Sequence, residues 1–409
     1  MGSDQTSAPA QAWLTIVSLA GVVRVRSGRH LDRTGRLEQG AGMARLGALV
    51  LSTLLIGSAL ASPAYAGHHP PGHGHGHGHG GSPSWAETVV DADQSFRGLD
   101  AVDRRTAWVT GGSATDGGPG RVFRTTDGGR HWQDVSPPGT GGLLFRDVQA
   151  RGQKGAVVLA IGPGDASRIY RTTDGGATWR TAFVNDDPAA FYDCMAFYPG
   201  GRRGLALSDP VDGKFRILAT RDSGRSWRVL PNDGMPEAPT EAGFAASGDC
   251  LVTAGHTAYF GSGGGAARVF RSDDFGLTWT ATDSTIPAGE AAGVFALAFR
   301  TPREGVAVGG DFAEPADGID AVAVTRHGRA WRSAGDLAHL GEDVAYLSGR
   351  ERSLIVTGES GDVMGTSISR DGGRSWTQVS KTGYHTLDCT RDGSCWAAGG
   401  GGRVARLGR

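Results

Sequence analysis

From residue 84 onward the chain is a succession of short apolar runs, each bounded by Gly or by charged residues, with no long apolar stretch among them. Arg121-Val122-Phe123-Arg124, Arg168-Ile169-Tyr170-Arg171 and Arg268-Val269-Phe270-Arg271 are three versions of one such run. Small-residue runs stand upstream, as in Ala107-Trp108-Val109-Thr110-Gly111-Gly112 and Val306-Ala307-Val308-Gly309-Gly310. Four to eight residues of β-branched, aromatic and small apolar type between turn residues predict strands. The runs come in groups of four.

Tryptophan sets the period of those groups. Trp85, Trp132, Trp179, Trp227, Trp279, Trp331 and Trp376 are spaced 47, 47, 48, 52, 52 and 45 residues apart. A sustained period of this size means a propeller, solenoid or array. Ahead of five tryptophans stands one phrase, clearest in Thr125-Thr126-Asp127-Gly128-Gly129-Arg130-His131-Trp132 and Thr172-Thr173-Asp174-Gly175-Gly176-Ala177-Thr178-Trp179. It recurs around Asp222, Asp274 and Asp371, and a shortened copy, Thr325-Arg326-His327-Gly328-Arg329-Ala330-Trp331, lacks the Asp. The carboxylate can accept backbone N–H groups of its own turn, and Gly supplies a positive φ. A residue repeated in five of the units reads as a structural fastener rather than a catalytic acid.

By these phrases the chain resembles the Asp-box, or BNR-repeat, propellers. The single-ring layout is most similar to exported bacterial BNR-repeat proteins related to the photosystem II stability and assembly factor. That resemblance implies a propeller fold and a non-catalytic, protein-binding precedent, and no photosynthetic role. Four-stranded sheets set radially are propeller blades. After Trp376 only three further strands fit, so a strand at about residues 84–90 is expected to complete the last blade and close the ring. The reading is all-β, one seven-bladed propeller over 84–409, with six blades as the alternative.

Residues 46–60 form a mostly apolar stretch preceded by Arg45 and followed by Ala64-Tyr65-Ala66, which reads as a secretory signal cleaved after Ala66. Met43 suggests a start there. Residues 1–42 are then an over-called start or leader, 43–66 the signal, 67–83 a flexible spacer, and the mature chain is exported without a membrane span. The spacer carries His68, His69, His73, His75, His77 and His79 between Gly and Pro, a weak and adventitious candidate for divalent metal. No other cofactor is expected.

Charge now excludes some partners. The whole chain has 41 Lys+Arg against 42 Asp+Glu, and removing 1–66 leaves 35 against 39. With no basic excess, neither nucleic acid nor an anionic membrane is an expected partner. Cys389 and Cys395 face each other across a tight turn and are the disulfide candidate, while the pairing of Cys194 and Cys250 stays open. Phosphate-loop, zinc-protease and serine-hydrolase phrases are absent from the sequence.

Loops before each first strand and between the second and third strands open on one face of a propeller. Mapped this way, Arg97, Arg146, Tyr192, Lys214 and His385 are ligand-binding candidates at the mouth, with Asp343 and His256 nearby. Asp193, Asp209, Glu241 and Asp311 are the candidate catalytic acids, because paired carboxylates can hydrolyse glycosides. Two principal functions follow: a monomeric binding or scaffold module for a protein or carbohydrate ligand, or a secreted sialidase-like glycoside hydrolase. The chain lacks an early Arg-Ile-Pro phrase, which disfavours the second. An oxidoreductase-type propeller is a remote third.

Overall fold

The structure, a computed structural model, describes residues 13–18, 21–26, 84–115, 118–349 and 352–408. The expected signal, the His/Gly spacer and its six histidines lie outside them. A two-stranded sheet of Trp13–Ser18 and Gly21–Arg26 stands by itself. The remainder is seven antiparallel sheets and three single 3-10 turns.

Blade I is Gln94–Ala101, Ala107–Ser113, Arg121–Thr125 and Gln133–Asp134. Blade II is Leu144–Arg151, Gly155–Ile161, Arg168–Thr172 and Arg180–Val184. Blade III runs Tyr192–Phe197, Gly204–Val211, Lys214–Thr220 and Arg228–Val229. Blade IV runs Leu251–Ala254, Thr257–Gly261, Arg268–Ser272 and Thr280–Asp283. Blade V is Ala292–Thr301, Glu304–Asp311, Val322–Thr325 and Arg332–Ser333, and blade VI is Asp343–Tyr346, Leu354–Ser360, Val363–Ser369 and Thr377–Ser380. Blade VII takes Thr386–Cys389, Cys395–Ala398 and Arg403–Gly408 from the C-terminal end. Its outer strand is Ser84–Val89, paired antiparallel from Ser84 opposite Gly408 to Val89 opposite Arg403. The count is seven, not six.

The tryptophan period has a packing reason. Buried apolar residues fall into seven clusters, one at each seam between adjacent blades. Trp279 belongs to one, and Trp227, Trp376, Trp179, Trp132, Trp331 and Trp85 each join or border one of the other six. Each ring is a wedge, placed just before or within an outer strand, that fills the gap two splayed sheets would leave. Trp132, for example, meets Trp396 of the preceding blade edge to face at 6.0 Å.

The repeated turns close the outer hairpins of blades I to VI. Asp174 Oδ1 accepts the N–H of Thr178 at 2.9 Å and the Thr172 hydroxyl at 2.8 Å, and Gly176 N–H donates to Thr172 Oγ1. Gly175 and Gly176 hold φ of 81° and 87°, which an L side chain resists. The Thr178 hydroxyl and then its N–H hold the Asp174 carboxyl down at about 2. Asp127, Asp222, Asp274 and Asp371 repeat these bonds. In blade V, where the Asp is missing, Thr325 alone accepts from His327 and Gly328.

Candidate functional site

The first strands of the blades line the axis, and four carry a bulge at the same place. The ladder skips Arg97 in blade I, Arg146 in blade II, Asp193 in blade III and Phe295 in blade V. Asp209 is skipped in the same way on the second strand of blade III. A bulge leaves one residue unopposed and re-aims its side chain, and such features concentrate at barrel rims and functional sites. Three of the five bulge residues, Arg97, Arg146 and Asp193, are thereby carried toward the axis near the mouth.

Between blades III and IV the chain does not go directly to the next first strand. It crosses the channel first. Glu241–Ala242 pairs with Gly263–Gly264, and the following residues bond or pack against blades III, V, II and I. Gly243 N–H donates to Asp209 Oδ1 at 2.9 Å on blade III, and the Phe244 ring lies 4.8 Å from Phe295 and 6.1 Å from Phe312 on blade V. The carbonyl of Ala245 accepts from Arg146 at 3.1 Å on blade II, and that of Ala246 from Arg97 at 3.0 Å on blade I. Asp249 follows at the buried end, where burial and then the acids Asp343 of blade VI, Asp388 of blade VII and Asp147 of blade II push its carboxyl well above the ordinary range. The segment is a plug on the axis. Its composition suits the place: a Cβ on Gly243 would come 2.8 Å from Asp193 Oδ2, and one on Gly248 2.9 Å from Asp147 Oδ1.

Above the plug, charges alternate in a chain. Arg97 Nη1 is 3.2 Å from Glu342 Oε1, Glu342 Oε2 is 2.9 Å from His385 Nδ1, and His385 Nε2 is 4.0 Å from Glu359. Glu359 in turn pairs with Arg403 at 2.7 Å, and Arg403 with Glu87 of the outer strand at 3.0 Å. Burial alone would raise the Glu342 carboxyl, but His385 and then Arg97 pull it below its ordinary range. Arg146 is different. It forms no ion pair among the described residues, and burial, then the neighbouring Arg97, push its guanidinium well below the ordinary value against weaker support from Glu342 and Asp193.

Below the plug lies a belt of acids. Each of four inner-strand carboxylates accepts a backbone N–H from the next blade: Asp100 from Ala150, Asp147 from Met195, Asp343 from Leu387 and Asp388 from Ala101, at 2.6–2.8 Å. Asp249 joins them from the plug. Burial raises Asp147 and Asp343 to about 7, and burial together with neighbouring acids raises Asp100 and Asp249 well above the ordinary carboxyl range. No cluster among the described residues has the make-up of a metal site.

The other sequence candidates scatter. Tyr192 is fully buried between blades II and III against Phe183, its ring in the seam rather than the mouth. Lys214 sits at a hairpin tip, 3.4 Å from Glu237. Of the acids, Glu241 is neutralised by Arg268 and accepts the Ser262 hydroxyl at 2.6 Å. Asp193 and Asp209 flank Gly243 of the plug, and Asp311 accepts Ala313 N–H in an exposed turn. Glu241 also does not begin a first strand, because Leu251–Ala254 does; this one-strand offset moves His256 to the opposite face, beside Phe275. Disulfides join Cys389 to Cys395 and Cys194 to Cys250, leaving no free cysteine. A small cavity of about 70 Å³ lies away from the axis, lined by Tyr198, Arg203 and Phe275.

The plug and the acid belt were not read from the sequence. The one trace of the plug is the Trp227 to Trp279 interval, 52 residues where the preceding ones are 47 or 48. The belt shows only as an Asp at alternating positions of runs such as Leu99-Asp100-Ala101 and Leu387-Asp388-Cys389.

No protein-family model matches the chain, and no curated protein does. Solved structures do share its architecture. The photosystem II assembly factor YCF48 bound to D1 peptide superposes with a TM-score of 0.56 at 15% identity, over 80% of this chain and 97% of that one. YCF48 from Cyanidioschyzon merolae gives 0.52 at 16% identity, over 79% and 98%. The WD40 propeller domain of Doa1 gives 0.52 at 13%, over 78% and 95%. At such identities the likeness is one of fold.

Proposed function

We propose that this chain is an exported binding propeller whose first-strand mouth takes an acidic segment of a peptide or protein partner, with Arg146 as anchor and Arg97 beside it. The observation that carries this reading is the state of Arg146. A buried guanidinium facing a second arginine and bonded to a neutral carbonyl is short of negative charge. A carboxylate is the group that relieves it, in the two-pronged geometry Arg favours. Phe244, Phe295 and Phe312 beside it would cover an adjacent apolar side chain. A propeller of this fold bound to a peptide supplies a precedent for the mode. Export is supported by the use of all four cysteines in disulfides, which persist in oxidising compartments. No helix among the described residues is long and apolar enough to cross a membrane.

The test is an array of short acidic peptides, probed in parallel with free and with amidated C-termini. Binding that weakens as salt rises and is lost on Arg146→Ala supports the reading, and the two arrays separate a terminal carboxylate from side-chain ones. Turnover of a fluorogenic glycoside panel, abolished by Asp193→Asn, with no peptide bound, would replace it with the hydrolase.

A further inference from the structure

The hairpins between first and second strands and the repeated turns open on the face opposite the mouth, where backbone bonds tie them together. Gly175 N–H donates to the Lys154 carbonyl in blade II, and Ser223 N–H to that of Arg202 in blade III. On this face the turns of these two blades carry Arg151, Lys154, Arg202, Arg203, Arg221 and Arg225, all exposed, against the acids Asp174 and Asp222. Both acids are engaged inside their own turns. Among the described residues none of the six cations pairs with a carboxylate. Blades IV and V differ on the same face: Arg271 and Arg329 both pair with Asp273, and Arg300 pairs with Glu304.

The guanidinium groups of this patch are held in place without being neutralised. Arg203 lies 4.1 Å over the Phe275 ring and Arg151 4.7 Å over Phe197, while Arg202 donates to the Arg221 carbonyl at 3.2 Å. Half-buried Arg171 of blade II donates to the Ser223 carbonyl at 3.0 Å and so joins the two blades. Rings and carbonyls fix a guanidinium and leave its charge uncancelled, which pre-organises it for an anion. The cavity of about 70 Å³ lies at the edge of this patch, with Arg203 and Arg221 both in its wall beside Phe275 and Leu277. Phe275 holds a φ of 64° at the turn position that Gly128, Gly175 and Gly372 occupy elsewhere, a conformation bulky residues resist. The strain is spent on a ring that serves as the platform for Arg203.

We propose that the turns of blades II and III form a docking surface for an anionic phospholipid membrane, with lipid phosphate at Arg203 and Arg221 and with Leu277 entering the headgroup layer. The near balance of 41 against 42 charges averages over the whole chain and does not reach a local patch. Attraction of several cations to an anionic leaflet accumulates residue by residue and falls with salt. Two features favour lipid over nucleic acid. The aromatic faces of the patch, Phe197 and Phe275, are already covered by Arg151 and Arg203, which leaves neither for base stacking. Leu277, 44% exposed at the rim of the cavity, is an apolar side chain of the kind that seats among headgroups. The mouth faces the other way, so a propeller docked through this patch keeps its mouth turned to solution.

Co-sedimentation of the full chain with phosphatidylcholine vesicles, with and without phosphatidylglycerol, tests the surface. Binding should be about tenfold or more stronger to the anionic vesicles and should be lost in molar salt. Reversing Arg202→Glu, Arg221→Glu and Arg225→Glu together should remove that preference. The same change of charge on blades V and VI, Arg326→Glu with Arg332→Glu and Arg374→Glu, should largely keep it; whatever residues 1–83 contribute is common to every variant. Arg221→Gln with Arg225→Gln is the milder substitute should the triple reversal unfold, and should weaken binding in the same direction. Equal binding to neutral and anionic vesicles, equal loss in the two triple variants, or duplex DNA bound where vesicles are not, overturns the proposal. Peptide binding through Arg146 stands or falls separately, because it is read at the opposite face and without vesicles.

Discussion

Arg97 of blade I and Glu342 of blade VI are paired at 3.2 Å across blade VII, joining strands 245 residues apart. Both are nearly covered, and Glu342 also accepts His385 and the Glu359 N–H. A buried pair of this kind contributes little over a well-packed apolar one, but removing one partner leaves the other charged and unsatisfied. Glu342→Ala is therefore expected to destabilise the ring by about 3–5 kcal/mol. Glu342→Gln, which still accepts one bond, should lose less. Urea unfolding followed by tryptophan fluorescence checks both.

A second expectation concerns pH. Asp147 and Asp343 hold their protons to about 7 in the folded ring, while the unfolded chain loses them near the ordinary aspartate value of 3.8. Between those values the native state binds more protons, so stability falls as pH rises through that window and levels off above it. Each group contributes on the order of a few kcal/mol. Unfolding midpoints measured from acid to neutral pH should decline, and Asp343→Asn should flatten the decline. A midpoint that climbs across this range would contradict the buried belt.

How far the sequence reveals this molecule depends on repetition. The seam tryptophans, the Asp174-type turns and the strand order recur in blade after blade, so each copy supports the others. The plug occurs once and, apart from Phe244 and Asp249, is built of Ala, Gly and Ser, residues that carry no periodic signal. Its insertion displaced the strand assignment in blade IV by one, which put Glu241 at a first-strand start and His256 in the mouth. Repeat register groups Arg97, Arg146 and His385, and in the structure the two arginines bond the carbonyls of Ala246 and Ala245 while His385 and Arg97 both meet Glu342. Their bulges were not legible, since the ladder partners that reveal a skipped residue are distant in sequence.

The box aspartates give a contrast. Asp222 accepts two backbone N–H groups and the Ser226 hydroxyl within its own turn and contacts nothing at the axis. Asp222→Ala should lower stability by about 1–2 kcal/mol, in line with other turn and cap losses. Peptide binding should be unchanged. A large loss of binding at unchanged stability would give these residues a functional role instead.

The Cys194–Cys250 disulfide closes a separation of 56 residues between blades III and IV. Loop-closure entropy makes such a bond worth about 4 kcal/mol. The double replacement by Ala should lower the thermal midpoint and also loosen the deep end of the plug, seen as faster exchange across 242–249. The Cys389–Cys395 pair, closing only a tight turn, should matter less.

The most direct measurement is a fluorescence titration of the strongest acidic peptide from the array against the unaltered protein, Arg146→Ala and Arg146→Lys. A desolvated arginine binding a carboxylate predicts a loss of about tenfold or more with Ala, incomplete rescue by Lys, and weaker binding as salt rises. Equal affinity for all three proteins would contradict the account, because the peptide would then be held somewhere other than the mouth.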